Sequence, residues 1–340
     1  MTSQFLDAYL DAVPDEVVAR LNGARRVLAV SHENPDADTL GATLAIVRIV
    51  EALGGVADPV CTDEPPPLYA FMPGVERFKT DPDPAATYDL LVISDCGAMS
   101  RVGDVGLRHA ELFASLPRVI VDHHASNDAA EPGDWIEPGS SATCEMVPLL
   151  AARLGVPLTR DDGDLAADLI AGIVMDTSSF AHPNVTPRTM AVGAALVEAG
   201  APLSDASTRL YRTKPEAQLR LFGRILERLE STDQGRIIWS TLTDADVAAT
   251  GAARAHSEGI IDLLAQSDTA EVAILFKAAG DATRISVRTK PGGVDATVLT
   301  GIFGGGGHAR ASGASFDGPV DAARDAVVAE ARRLVADVRR

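Results

Sequence analysis

The sequence predicts an α/β protein with two domains: a doubly wound, mainly parallel sheet, then a smaller α/β domain, with a helical linker between them. In the first half of the chain, short apolar runs alternate with longer segments of helical periodicity, which is typical of a parallel sheet covered on both faces. The chain has 340 residues, more than one hydrophobic core usually supports. We therefore assign the first domain to residues 1–195, the linker to 196–232 and the second domain to 233–340.

The first domain contains both patterns in alternation. Leu40, Leu44, Val47 and Val50 recur at helical spacing, which predicts a helix, whereas runs rich in valine, isoleucine and leucine predict buried strands. The predicted strands are 26–30, 90–93 and 118–121. The predicted helices are 39–53, 141–154, 165–175 and 187–198.

After Gly235 the pattern changes and predicts the second, smaller domain. A helix over 215–229 precedes it, after the helix stop A-G-A-P at 199–202. The predicted strands are 236–239, 272–276 and 284–287, and the predicted helices are 295–302 and 320–338. The chain contains no fixed-period repeat, so a solenoid or propeller is excluded.

Net charge limits the size of the ligand. The formal charge is −18, from 30 Lys plus Arg against 48 Asp plus Glu, and such a surface repels a long polyphosphate backbone. A small anion can still bind in a local pocket, because charges farther away than about 8–10 Å are screened. We therefore expect small nucleotides as partners and no long duplex nucleic acid.

The cysteines and the hydropathy pattern predict a cytoplasmic protein without a membrane segment. Cys61, Cys96 and Cys144 lie far apart, without the spacing of a zinc site or a disulfide framework. The N-terminus has acidic residues and no basic region before an apolar stretch, and no run reaches the roughly 18 apolar residues of a membrane span.

Polar clusters follow three of the predicted strands. The first strand leads into S-H-E-N-P-D-A-D, the second into S-D-C-G and the third into D-H-H. Ligand sites in open α/β sheets form at the carboxyl ends of the strands, so these clusters should converge. The residues concerned are His32, Asp36, Asp38, Asp95, Asp122, His123 and His124.

A further carboxylate, Asp176, ends the apolar helix and begins the string D-T-S-S-F, and its burial would be costly without a cation. Each of these residues alone has an ordinary explanation, since a single aspartate after a strand is usually a helix cap or a turn residue. Together they supply several carboxylates and at least two imidazoles. That set favours two cations, with Mn²⁺ or a related first-row ion preferred and Mg²⁺ also allowed.

The second domain contains a glycine-rich string followed by basic residues. Four consecutive glycines at 304–307 let backbone N–H groups approach a phosphate, and His308 adds a donor. The alternative is a flexible loop between a helix and a strand. Arg288, and less surely Arg284, is a candidate phosphate anchor, although strand arginines are usually solvated. In the first domain, Arg101 is a weaker candidate of the same kind.

These motifs together resemble a known family. The strings H-x-x-P-D-x-D at 32–38, S-D at 94–95, D-H-H at 122–124 and D-T-S at 176–178 resemble motifs I to IV of the DHH phosphoesterases. The string G-G-G-G-H-A-R-A-S-G at 304–313 resembles the companion DHHA1 domain. Within the family, the chain most resembles the bacterial bifunctional oligoribonucleases, or nano-RNases, which also dephosphorylate 3′-phosphoadenosine 5′-phosphate. Some of these enzymes degrade linear or cyclic dinucleotides.

The resemblance implies roles for the individual residues. One metal would be held by His32, Asp36 and Asp95. The other would be held by Asp38, Asp95, His123 and Asp176, so that Asp95 bridges the two ions. Asp122 would orient a histidine and His124 would donate to the phosphate or the leaving oxygen. The metals would be Mn²⁺, with Mg²⁺ or Co²⁺ as alternatives, and a homodimer is a family expectation.

In the second domain the resemblance supports Arg288, Gly305, Gly306 and His308 as substrate-binding residues. The chain departs from the family at Ser178, where a glycine is common, and in F-A-H-P-N at 180–184, which lacks a basic residue often found there. The predicted substrates are chains of two to about five nucleotides, mononucleotide bisphosphates and cyclic dinucleotides.

Three other functions share part of this pattern. An inorganic pyrophosphatase or exopolyphosphatase of the superfamily would share the metal motifs, but the glycine-rich string argues against it. A RecJ-like processive exonuclease needs aromatic side chains that stack on bases, and aromatic residues make up only 4% of this chain. A non-catalytic nucleotide sensor would not need intact metal motifs.

Overall fold

The structure is a computed structural model that describes residues 3–127, 130–232 and 234–338. The chain forms two compact units, one ending at Thr213 and the other beginning at Lys214. Each unit contains one β-sheet and its own hydrophobic core. Among the described residues, no helix has the length and apolar character needed to cross a membrane.

Five parallel strands form the sheet of the first unit, in the spatial order β2-β1-β3-β4-β5. In chain order they are β1 (Arg26–Val30), β2 (Val56–Val60), β3 (Leu90–Ser94), β4 (Arg118–Asp122) and β5 (Trp135–Ile136). The helices are α1 (Asp15–Gly23), α2 (Ala37–Ala52), α3 (Asp104–Arg108), α4 (Ala110–Ser115), α5 (Thr143–Arg153), α6 (Asp164–Asp176), α7 (Pro187–Glu198) and α8 (Leu203–Ser207).

The sheet is covered on both faces, which confirms the predicted doubly wound fold. Alternate residues of β1 enter two different cores: Val27 and Ala29 pack in the larger one, Leu28 and Val30 in the smaller one. Because successive side chains of a strand point to opposite faces, a strand buried on both faces is apolar throughout. This is why β1, β3 and β4 could be predicted from their composition.

One strand of this sheet lacks that signature. β2 has the sequence V-A-D-P-V and was not predicted. It lies at the edge of the sheet and pairs with β1, where a proline such as Pro59 is tolerated because one side of an edge strand needs no ladder hydrogen bond.

Two glycines allow α2 and α6 to pack closely. A Cβ at Gly41 would lie 2.4 Å from the carbonyl oxygen of Asp168, and a Cβ at Gly172 would lie 2.6 Å from Oδ1 of Asp38. Any larger side chain would therefore separate the helices. This packing brings the start of α2, with Asp38, beside α6.

Six strands form the sheet of the second unit, in the order β10-β11-β9-β8-β7-β6. Within the described residues, β7 and β8 pair in parallel and the other neighbours are antiparallel. The strands are β6 (Glu230–Thr232), β7 (Ile237–Leu242), β8 (Val272–Ala279), β9 (Ala282–Thr289), β10 (Gly306–His308) and β11 (Ala311–Asp317). The helices are α9 (Glu216–Glu227), α10 (Asp244–Thr250), α11 (Ile260–Leu264), α12 (Ala296–Gly301) and α13 (Val320–Asp337).

The segment 196–232, expected to link the domains, divides between the two units. Ala206 and Leu210 are buried in the core of the first unit. Leu221 and Ile225 on α9 are buried in a core of the second. Each half of the segment buries apolar residues in the core of its own unit, so the structural boundary lies within the expected linker.

Candidate active site

The polar clusters of the first unit meet at one edge of its sheet. His32 follows β1, Asp95 follows β3, and His123 and His124 follow β4, whose last residue is Asp122. Since all three strands are parallel, their carboxyl ends share an edge. Helices complete the cluster: Asp36 is the N-cap of α2, Asp38 lies in its first turn, and Asp176 is the last residue of α6.

One group of donor atoms surrounds His32. Its Nε2 lies 3.6 Å from Oδ2 of Asp95 and 3.9 Å from Oδ2 of Asp36. The other ring nitrogen, Nδ1, lies 2.7 Å from the carbonyl oxygen of Glu33. A carbonyl can only accept, so Nδ1 carries a proton, and Nε2 would offer its lone pair to a cation once its own proton is released.

A second group surrounds His123. Its Nε2 lies 3.2 Å from Oδ2 of Asp176, 3.4 Å from Oδ1 of Asp95 and 4.0 Å from Oδ2 of Asp38. Asp95 thus directs Oδ2 to the first group and Oδ1 to the second. Three groups of donor atoms each lie within 4.8 Å of one another and could hold a cation: His32, Asp36 and Asp95; Asp38, His123 and Asp176; and Asp95, His123 and His124. The first two lie within the ligand sets expected from the sequence, whereas the third adds His124.

The crowding of these carboxylates shows that the site fits cations. Burial raises the pKa values of Asp36, Asp38 and Asp176, and the nearby charge of Asp95 raises them further. Four carboxylates in contact with buried imidazoles therefore repel one another when all are ionised. Divalent cations among them would remove that repulsion, and this mix of oxygen and imidazole donors suits first-row ions.

Asp95 differs from the other carboxylates. Burial opposes its ionisation, but the hydrogen bond from His32 and the charges of His123, His32 and His124 lower its pKa to about 2. Its backbone has a φ of 58°, a left-handed conformation that aspartate adopts more readily than most residues. The carboxylate shared by the two groups is thus the one most firmly kept ionised.

Asp38 is held by the start of α5, which the sequence did not reveal. Its Oδ2 accepts from the backbone N–H of Thr143 at 2.7 Å and its Oδ1 from that of Cys144 at 2.8 Å. The hydroxyl of Thr143 also donates to Oδ1 of Asp95 at 3.0 Å. The free N–H groups of a helix start favour a carboxylate, so α5 fixes two of the expected ligands.

Asp122 and His124 form a pair beside these groups. Oδ1 of Asp122 lies 2.7 Å from Nδ1 of His124, and Oδ2 accepts from Nδ2 of Asn127 at 2.7 Å. The hydrogen bond that His124 donates to Asp122 is the main cause that raises the pKa of His124. Arg101 also reaches the site, with Nη2 3.2 Å from Nδ1 of His32. Asn127 was not predicted as a site residue, because an asparagine five positions after an aspartate is not a recognisable sequence motif.

In the second unit, three expected substrate-binding residues share one face of the sheet. His308 pairs with Ala311 on the neighbouring strand, and Ala311 pairs with Arg288 on the next one. Directly paired residues point to the same face of a sheet, so His308 and Arg288 share a face. Gly306 lies on that face two residues from His308. Arg288 is also paired with Asp262, at 2.7 Å from Nε to Oδ1.

Two of the four glycines, Gly306 and Gly307, lie in the edge strand β10 (Gly306–His308) and not in the flexible loop that was the alternative from the sequence. Packing explains Gly305, where a Cβ would lie 2.2 Å from the carbonyl oxygen of Gly313. It also explains Gly307, where a Cβ would lie 2.7 Å from that of Ala311. A Cβ at Gly306 would meet no atom within 4 Å, so its small size has no cause within the unit.

Comparison with known proteins gives the family. The DHH family, N-terminal domain, matches residues 26–175, and the DHHA1 domain matches residues 236–337. The chain belongs to the DHH family. A curated relative, the "Bifunctional oligoribonuclease and PAP phosphatase NrnA" of Thermus thermophilus, is 29% identical over 89% of this chain and 87% of its own length. A protein of the same name from Bacillus subtilis is 23% identical over 88% and 92%.

A solved DHH-like structure has the same fold. The exopolyphosphatase-related protein from Bacteroides fragilis aligns with a TM-score of 0.85 over 96% of this chain and 97% of its own, at 21% identity. At that identity the likeness shows the fold alone. It agrees with the predicted two-domain α/β architecture.

The departure at Ser178 from the usual DHH motif is visible as backbone strain. Ser178, Ser179 and Phe180 have φ values of 48°, 62° and 64°, which form a left-handed turn directly after α6 and Asp176. Thr177 supports the turn, since its Oγ1 accepts from the N–H of Phe180 at 2.9 Å. A glycine would adopt this conformation without strain, which is the reason to expect one here.

Proposed function

We propose that the chain is a metal-dependent phosphoesterase that hydrolyses chains of two to five nucleotides to mononucleotides and dephosphorylates 3′-phosphoadenosine 5′-phosphate. The observation that carries this proposal is the pair of donor groups that share Asp95. The activities come from the names of relatives that match nearly the whole chain. Cyclic dinucleotides are a further proposed substrate.

The metal centre is proposed to hold two divalent cations, Mn²⁺ in preference to Mg²⁺ or Co²⁺. His32, Asp36 and Asp95 would hold one, and Asp38, Asp95, His123 and Asp176 the other. Such ions supply Lewis-acid chemistry, in which a water becomes a nucleophile at neutral pH and phosphate charge is neutralised. Asp95 would serve both sites because it is ionised and directs one oxygen to each.

His124 is proposed as the proton donor to the phosphate or leaving oxygen. Asp122 holds its Nδ1, so Nε2 is free to face the substrate, and the raised pKa of His124 keeps a proton available near neutral pH. Asp122 is itself held by Asn127. Arg101, beside His32, would neutralise a phosphate oxygen.

In the second unit we propose that Arg288, Gly305, Gly306 and His308 bind the nucleotide. The sheet face that Arg288, Gly306 and His308 share supports this role, as does the edge of β10, whose outer side pairs with no strand among the described residues. The net charge of −18 disfavours long strands. The protein is further proposed to act in the cytoplasm and as a homodimer, which sedimentation equilibrium would test.

The experiment compares purified protein with Asp95→Ala protein in Mn²⁺. The panel contains a dinucleotide, a pentanucleotide, a long single strand, 3′-phosphoadenosine 5′-phosphate and pyrophosphate, with products separated by chromatography. Asp205→Ala, at an exposed helix pair with Arg209, is the matched control. We expect the wild-type and control proteins to cleave the short substrates and Asp95→Ala protein to be inactive.

Two results would contradict the proposal. Cleavage of long strands as fast as dinucleotides would exclude the preference for short chains. Turnover of pyrophosphate alone would assign the chain to the pyrophosphatases of its superfamily. For the second unit, Gly306→Ala should raise KM without changing stability, because the added methyl group meets no protein atom.

A further inference from the structure

We propose that Arg188 and Glu145 are positioning residues of the metal centre. They touch none of the expected ligands themselves. They form a network of hydrogen bonds and ion pairs within and next to residues 137–145. Other atoms of the same segment bind three expected ligands, His123, Asp38 and Asp95. The inference rests on the proposed metal-dependent function.

The network is dense and buried. Arg188, at the start of α7, donates from Nε to Oε1 of Glu145 at 2.6 Å, from Nη2 to Oγ of Ser140 at 2.5 Å, and from Nη1 to Glu137. Glu145 is fully buried. Its Oε2 accepts from the backbone N–H of Ser141 at 2.9 Å, so both oxygens are satisfied.

The other side of the segment faces the site. The carbonyl oxygen of Ser140 lies 3.3 Å from Nδ1 of His123. Because a carbonyl only accepts, it fixes the tautomer of His123 and leaves Nε2 for a cation. Three and four residues farther along, the N–H groups of Thr143 and Cys144 hold the carboxylate of Asp38. One short segment thus sets the positions of a histidine and of a carboxylate.

The arrangement exceeds what stability alone requires. A buried ion pair is often no more stabilising than apolar residues of the same volume. Here, however, the network contacts are made with Ser140 and Ser141, whose backbone adjoins the ligands. Replacing the pair would leave the fold packed but release that backbone. Ligands supported in this way typically lose 10–100-fold in metal affinity when the support is removed.

The first unit offers a matched control in Arg48. It is also buried and paired with acidic residues, with Nε 3.1 Å from Asp168 and Nη1 3.0 Å from Asp161. Its contacts include none of the expected ligands. Arg48→Met and Arg188→Met therefore remove comparable ion pairs from one unit, and only the second removes support from the metal centre.

The test measures Mn²⁺ binding to the full chain by isothermal titration calorimetry, together with urea unfolding in EDTA. Arg188→Met and Glu145→Gln should weaken Mn²⁺ binding by 10–100-fold, and at sub-saturating Mn²⁺ the KM for a dinucleotide should rise as well, because the substrate needs the bound cations. Arg48→Met should lose stability and keep wild-type Mn²⁺ affinity. Arg188→Lys, which keeps the charge but not the fork of donors, should fall between Arg188→Met and wild type, and serves if Arg188→Met does not fold.

Wild-type Mn²⁺ affinity in folded Arg188 and Glu145 variants would overturn the inference, as would an equal loss in Arg48→Met. Binding of Mn²⁺ is measured without substrate. A wild-type protein that binds Mn²⁺ but cleaves no nucleotide would therefore refute the proposed substrates and leave this inference standing.

Discussion

Replacing Ser178 by glycine should stabilise the first unit, although it lies beside an expected metal ligand. Its φ of 48° is in the left-handed region, where an L-residue costs roughly 1–2 kcal/mol more than glycine. Glycine also makes the unfolded chain more flexible, which costs about 0.4–1 kcal/mol. Within the described residues the Ser178 side chain forms no hydrogen bond, so no contact is lost. The net gain should be about 0.5–1 kcal/mol.

Ser179 provides the matched control. Its φ of 62° implies the same relief of strain, but its Oγ lies 2.8 Å from Oγ of Ser207. A hydrogen bond of this kind contributes about 0.5–1.5 kcal/mol, which cancels the gain. Ser179→Gly should therefore leave the free energy of unfolding nearly unchanged.

Fluorescence can isolate the first unit, because the chain has two tryptophans and one lies in each unit. In a Trp239→Phe background, Trp135, which is buried in the first unit, reports the unfolding of that unit in urea. Ser178→Gly should shift the midpoint upwards and Ser179→Gly should not. If Ser178→Gly lowers the midpoint or leaves it unchanged, the left-handed turn stores no strain at Ser178. An equal rise in both variants would mean that the Ser179–Ser207 hydrogen bond contributes nothing.

Three further predictions follow from the geometry. The pKa values of Asp36, Asp38 and Asp176 are raised in the folded protein. The stability they contribute is therefore fully present below the unfolded pKa near 4 and is lost as pH rises through the folded pKa values. The pKa of Asp95 is lowered to about 2, so Asp95 affects stability only below that range. Metal-free protein should therefore be less stable to urea at pH 8 than at pH 5, and Mn²⁺ should abolish the difference; equal midpoints in EDTA would contradict it. Gly305→Ala should destabilise the second unit by about 1–3 kcal/mol, read from Trp239 fluorescence, because the methyl group would overlap Gly313; an unchanged midpoint would mean that this hairpin relaxes freely. Asn127→Ala should lower kcat and keep Mn²⁺ affinity in calorimetry, because Asn127 holds Asp122 and no expected ligand; weakened Mn²⁺ binding would place Asp122 among the ligands' supports.

Much of the fold, and the meeting of the candidate site's side chains, could be predicted from the sequence, for a topological reason. Parallel strands end at one edge of a sheet, so His32, Asp95 and His123 had to meet once β1, β3 and β4 were recognised as buried strands. Asp176 was identified because a carboxylate at the end of an apolar helix needs a partner. The family assignment from these motifs is confirmed by both domain matches.

What could not be predicted depends on contacts between distant parts of the chain. The backbone N–H of Thr143 donates to Asp38, which lies 105 positions earlier in the chain. No local sequence pattern can predict a contact between residues so far apart. The glycines at 304–307 have different structural reasons: packing requires a glycine at Gly305 but not at Gly306. Composition cannot separate these causes. Only the register of β10 on β11 distinguishes them.

The acidity of the chain and the chemistry of the site act in the same direction. A surface of net charge −18 and a cluster of four carboxylates both repel a phosphate, so the metal-free site has no means of attracting one. Cations bound by those carboxylates would reverse the sign of the field where the phosphate must lie, while the remaining surface would still repel the rest of a long strand. Substrate affinity should therefore depend on the metal as strongly as the rate of hydrolysis does. The same local reversal would let so acidic a protein select short nucleotides over long ones.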